Sequence, residues 1–314
     1  MKRQVLLLII LMVISQVSYS QINMEDSTVR TIAYWNHKEI NTYQISLESF
    51  DVINQDTSNW NKVSYLVDME ILDSTAANYE VSWTYREFTF DLGERDSTYQ
   101  YFIDKMLSIT EGSLVKFRTD EYGAFQQVTN VEEISEFYRK AGDTLKLMFG
   151  NIPQIDEMVD QTFKNYRNKN SIETQSIKDI LQFLNFHGAE YKLGEELSGV
   201  INSANVLGKN RLETQVNVLL EEIFPDDNDY RIVSFSEANS EQLISETELV
   251  LKTMMPNTSE EEIDKLMAEV GELYNTIENV SVIHGWGWPI FSKEIRIVGS
   301  NQKNKVEIRT IEII

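Results

Sequence analysis

Cysteine is absent from the 314 residues, which excludes disulfides, thiolate metal ligands and a thiol nucleophile. Histidine is nearly absent as well: His37, His187 and His284 are the full set. A zinc centre needs three or four ligands at fixed geometry, and nothing in this spacing proposes one. Neither a metal nor any other cofactor is therefore expected. The sequence also lacks a G-x-S-x-G elbow, a P-loop, a G-x-G-x-x-G turn and an H-E-x-x-H pair, so the common nucleophile, phosphate and metalloprotease signatures are missing.

Long apolar runs are missing too. The best candidate, Val5–Ile14, is ten residues, about half of what a membrane span requires. It follows the basic Lys2-Arg3 and precedes Ser18-Tyr19-Ser20, which is the layout of a secretory leader. Export is the expectation, to the periplasm or the extracellular medium, with residues 1–20 removed and 21–314 forming one domain. No membrane span is expected in the mature chain, and without cysteine no lipid anchor at the cleavage site.

Basic residues are scarce: 28 Lys and Arg face 50 Asp and Glu, a formal charge of −22. Such a surface repels nucleic acid and anionic lipid, and favours solubility or basic partners. The acidic run Asp226-Asp227-Asn228-Asp229 offers hard oxygen donors. It lacks the glycine and the twelfth-position glutamate of a calcium loop, and reads as hairpin chemistry. Carboxylates this abundant give no specific sign of glycoside hydrolysis.

What is present is period-two alternation. Val63, Tyr65, Val67, Met69 and Ile71 alternate with polar positions, as do Tyr79, Val81, Trp83 and Tyr85. With the earlier run around Ile45 these predict a three-stranded antiparallel meander. Helical spacing follows over 96–109 and from Asn130 to about Gly150, with Asn130 and Glu133 as an expected capping box. The stretch 153–205 reads as a helical insertion, with 193–208 ambiguous. Strands return near Leu212–Phe224, two helices flank Pro256, and three more strands close the chain. In the last of these the apolar parity shifts at Arg309-Thr310, which predicts a bulge or an end buried on both faces. The fold class expected is α+β: an antiparallel, curved sheet built from N- and C-terminal strands, with a central helical segment packed on it.

Aromatic residues carry the functional expectation. Tyr79, Trp83 and Tyr85 share one strand face, and Val282–Phe291 ("VIHGWGWPIF") concentrates His284, Trp286 and Trp288 around two glycines and a proline. That box reads first as a corner between strands. If extended, it presents both indoles to one side, capping the core or rimming a pocket. These six residues are the candidate ligand site; no catalytic residue is assigned. Three function classes stay open. One is a non-catalytic exported protein binding an apolar or amphipathic molecule, such as a lipid, between sheet and helices. Another is a hydrolase using carboxylates or His284 near the tryptophans. The third is a structural or interaction domain with an envelope protein as its partner.

Overall fold

A computed structural model describes residues 21–91, 93, 97–203, 205 and 210–314. The expected leader, residues 1–20, lies outside the described residues. Among the described residues, fourteen strands form two sheets. The large one is antiparallel and has eleven strands in the order β7-β6-β5-β4-β3-β14-β13-β12-β11-β10-β9. The expected meander is β3 (Ile40–Ile53), β4 (Asp56–Ser74) and β5 (Asn78–Asp91). β6 (Leu114–Asp120) and β7 (Phe125–Val128) extend it. β9 (Glu196–Ser203), β10 (Leu212–Phe224), β11 (Asp229–Ala238), β12 (Leu273–His284), β13 (Pro289–Ser300) and β14 (Lys303–Ile313) form the other half. The halves join where β14 pairs with β3, so the chain's last strand sits mid-sheet. The sheet is open, with β7 and β9 as its edges. A small second sheet holds β1 (Ile22–Asn23), β2 (Thr28–Thr31) and β8 (Ala189–Lys192).

Helices cover one face. α1 (Ser97–Thr110), α2 (Val131–Phe149) and α3 (Ile155–Phe163) lie at one end of the chain order; irregular helical turns follow over Lys164–Ser176. α4 (Lys178–Phe183) crosses β13 and β14, and α5 (Ser240–Met254) and α6 (Glu260–Val270) belong to the second half. The alternation in β5 explains the main core: Tyr79, Val81, Trp83 and Tyr85 are all buried and pack with Tyr43, Ile45, Phe183 and Ile311. Tyr43 and Trp83 stack at 6.3 Å, with Phe183 edge-on to each, a favoured geometry for ring quadrupoles.

Several local expectations need correction. Helix ends at Phe183, not near 205: β8 and β9 follow, and Glu196–Ser203 of the ambiguous stretch is an exposed edge strand, while its residues 204 and 206–208 lie outside the described residues. Asn130 does precede α2 but makes no cap bond. Its side chain instead accepts from Lys116 N at 2.8 Å and donates to Leu114 O at 3.0 Å, tying the helix start to β6. The capping box that the sequence also places after Pro256, at Thr258 and Glu261 or at Ser259 and Glu262, does form, at Ser259 and Glu262 on α6. β14 has no bulge; its register runs unbroken against both β13 and β3. The parity shift has a different cause. Arg309, Glu307, Lys305 and Lys303 share the helix-facing register with Ile311, while Ile308 and Val306 face the other way beside Ile295, Ile297 and Phe50. The usual polarity of a half-covered sheet is reversed here.

Candidate functional site

Two cavities lie between the sheet and its helices. The first, about 370 Å³, is floored by Leu47, Tyr65 and Tyr85 and roofed by Met106, Leu107, Ile134, Tyr138 and Tyr166. The second, about 400 Å³, lies over β12–β14, with Leu273, Tyr274, Arg296, Val298, Lys305 and Glu307 from the strands and Leu243 and Val270 from α5 and α6. Lys178, at the start of α4, and Glu307 line both, so the cavities meet there. Each lies within the roughly 300–1,000 Å³ range of small-molecule sites, with aliphatic and aromatic side chains beside charged and polar ones.

Asp179 organises the first cavity. It is buried, yet its carboxylate accepts from Tyr85 OH at 3.1 Å, Tyr65 OH at 3.2 Å and Trp83 Nε1 at 3.3 Å. Its own helix adds Ile180 N at 3.0 Å. Burial, with the adjacent carboxylate, pushes the phenols of Tyr65 and Tyr85 well above their ordinary value. They therefore stay neutral donors, which satisfies a charge that would otherwise be costly to bury. Tyr138 and Tyr166 stack above at 3.6 Å.

The junction is electrostatically different. Lys305 pairs with Glu307 at 2.9 Å, Arg309 with Glu294 at 3.2 Å and Lys303 with Asp51 at 3.8 Å. Among the described residues, Lys178 and Arg296 have no carboxylate at ion-pair distance. Arg296 makes one long bond to Asn275 Oδ1, 3.4 Å, and its buried Nε has no partner. Burial pulls the Lys178 ammonium below its ordinary pKa; Glu307 opposes this, and Arg296 and Arg309 add to it. Burial works to raise the Glu307 carboxyl, but Lys305, Lys178 and Arg296 outweigh it and hold the pKa down. Three cations thus surround one carboxylate in a wall of a protein whose overall charge is −22.

The six residues singled out by sequence fall in three places. Tyr85 lines the first cavity and Trp83 lies behind it, bonded to Asp179. Tyr79 and Trp288 are buried around Trp35, at 5.3 and 5.1 Å between ring centres, and Tyr79 OH donates to Ala33 O at 2.9 Å. Trp286 is 60% exposed, edge-on to His284. The segment is the corner between strands that the sequence reads first; because it turns instead of extending, the two indoles do not share a side. Gly287 N donates to His284 O at 2.7 Å, and Gly287 takes φ +78°. The corner is an anchor. It receives Tyr34 N at the Trp286 carbonyl, 3.1 Å, and His187 Nε2 at the Gly287 carbonyl, 2.8 Å. His284 is next to Asp229 across the β11–β12 pair, and it lines neither cavity. Among the described residues no three histidine or acidic side chains converge as a metal site, and no helix is long and apolar enough to cross a membrane.

With this geometry in place, comparison with known sequences finds no matching family model and no matching curated protein. No family is shown. Among solved structures, one of lipovitellin, titled for its lipid–protein interactions, has a TM-score of 0.43 at 10% identity, over 89% of this chain and 25% of that one. This chain thus spans a quarter of lipovitellin's length. DynF, from the dynemicin biosynthesis pathway of Micromonospora chersina, has a TM-score of 0.20 at 7% identity, over 95% of this chain and 90% of that one. Likenesses this low carry no argument about what this chain does.

Sequence reasoning found Tyr85 and Trp83 but missed Lys178, Asp179, Arg296, Lys305 and Glu307. A signal was present in "KNKVEIRTI", where charged and aliphatic residues alternate. Alternation gives the period of a strand but not which of its faces is covered.

Proposed function

We propose that this protein is a non-catalytic binder of an apolar or amphipathic small molecule, such as a lipid, held between the sheet and its helices. The observation that carries this reading is the pair of cavities meeting at Lys178 and Glu307, with Leu243, Val270, Leu273 and Val298 walling the second. Burying each methylene of a ligand there contributes about 0.8 kcal/mol. A chain of about fifteen methylenes, contributing about 12 kcal/mol, reaches micromolar affinity after an association cost of about 4 kcal/mol. The basic and apolar leader-like residues 2–20 support an exported setting, periplasmic or extracellular.

The test is native mass spectrometry of protein purified without detergent, followed by titration with a solvatochromic apolar dye. The reading expects a co-purified apolar mass or saturable dye binding, displaced by an amphiphile and reduced in Val298→Trp, which fills the second cavity. No bound mass and no saturable dye binding in the folded wild type would refute it.

A further inference from the structure

The helix-facing side of β13 and β14 holds cations where a sheet core ordinarily holds aliphatic residues. Arg309, Lys305 and Lys303 each have a carboxylate at ion-pair distance. Among the described residues, Arg296 on β13 and Lys178 at the start of α4 do not; Glu307 acts on them only from further away, and both line the second cavity with Leu243, Val270 and Leu273. Half-buried cations without partners weaken a fold unless something supplies the missing charge. A guanidinium matches a carboxylate or phosphate with paired donors, and an ammonium adds a point charge. An apolar wall beside that pair fits one chemistry: a head that is an oxyanion and a tail that is hydrocarbon.

Resting on the carrier reading above, we infer that the ligand is a single-chain amphiphile with an anionic headgroup. The oxyanion is held between Lys178 and Arg296, and the chain runs along Leu243, Val270 and Leu273. The strongly negative surface selects against such a molecule at every other point, so recognition is confined to this inward-facing cluster. Tyr274 OH, which donates to Ser300 O at 3.0 Å, closes the polar side of the same cavity.

The experiment compares four probes with one tail, all below their micelle-forming concentrations: dodecanoate, dodecyl phosphate, the monoglyceride of dodecanoic acid and dodecyltrimethylammonium. Calorimetry on the full-length protein is expected to give at least about tenfold tighter binding for the two anions than for the monoglyceride, the increment of one charge-assisted contact. The two anions against each other separate a carboxylate source from a phosphate source. In Lys178→Gln and Arg296→Gln that advantage is expected to fall about tenfold each, while monoglyceride binding and ligand-free thermal unfolding hold or improve. Where a variant does not fold, lysine acetylation of the wild type reads the same point: dodecanoate protects Lys178 and leaves exposed Lys265 unchanged. A monoglyceride that binds as tightly as the anions overturns this inference and leaves the carrier reading standing. An anion preference that survives both variants, with Lys178 unprotected, also overturns it. No binding by any of the four probes overturns both.

Discussion

His187 makes stability depend on pH between about 4 and 6.5. The ring is buried at the end of the α4 region, 5.6 Å from the Trp35 ring, with Nε2 donating to the Gly287 carbonyl at 2.8 Å. Burial lowers its pKa to about 4 from an ordinary 6.5, against the smaller pull of the Gly287 carbonyl. The folded state therefore keeps the ring neutral while the unfolded chain protonates it. Unfolding takes up a proton, so stability is fully present above about pH 6.5 and is lost as pH falls toward about 4. At about 1.4 kcal/mol per pH unit the whole window is worth about 3 kcal/mol, of which about 2 kcal/mol is lost between roughly pH 7 and pH 5.

The assay is urea unfolding of wild type and His187→Gln across that range. The Gln amide can still donate to Gly287 but does not titrate. His37, His284 and the acidic residues are common to both proteins, so the difference between the two curves isolates His187. The wild type is expected to lose about 2 kcal/mol more than the variant on going from neutral to about pH 5. Parallel curves would refute the burial argument, because they would mean that water reaches the ring in the folded state.

Four further outcomes follow from particular contacts. Gly287→Ala forces a side chain onto φ +78° and into the Ile32 carbonyl; it is expected to cost more than about 2 kcal/mol. Gly194→Ala, at φ +72° with nothing within 4 Å, should cost only about 1 kcal/mol; equal losses in denaturant melts would contradict the anchoring role of the corner. Asp179→Ala strands the donors of Tyr65, Tyr85 and Trp83. It should destabilise by about 3–5 kcal/mol, with a change in near-ultraviolet circular dichroism; an unchanged melting temperature would count against the network. Ser259→Ala removes the α6 capping box and should cost about 1 kcal/mol by the same melts. In hydrogen exchange, β9, whose Val200 is 64% exposed, should open locally, whereas β3 and β14 at the sheet centre exchange only on global unfolding; equal protection would refute this ordering.

Much of the architecture was legible because local pattern and tertiary role agree. Tyr79, Val81, Trp83 and Tyr85 alternate in sequence and are all buried in β5. Asp226–Asn228 turn between β10 and β11 as their composition demands. Illegible elements are those where a distant partner decides. Glu196–Ser203 is a strand only because β10 pairs with it, since its own residues are almost wholly exposed. Asn130 gives up its cap because Lys116 N and Leu114 O lie within reach. Trp286 and Trp288 part company because Gly287 turns the chain between them. In the candidate site, Tyr85 announced itself as part of an aromatic stripe. Lys178 and Arg296 look in sequence like any solvated charge, and only the packing of α4 over β13 reveals them.

The reversed polarity of β14 bears on why such a site exists at all. Shifting that strand by one residue would turn Val306 and Ile308 toward the helices and release Lys305, Glu307 and Arg309 to solvent. That shift would also turn Ile311 out of the main core, and Val306 is already buried where it is, so burial alone does not choose the register. The strand is nevertheless held without irregularity by β13 on one side and β3 on the other, with Ile311 facing Ile45 in the main core. Most of the inward charges are then compensated internally: Arg309 by Glu294 and by the Gln182 side chain at 3.5 Å, Lys305 by Glu307. Compensation stops at Lys178 and Arg296, the two cations at the cavity rim. Inward cations that have a carboxylate at ion-pair distance everywhere except beside an apolar cavity are the ground on which the proposed anionic headgroup rests.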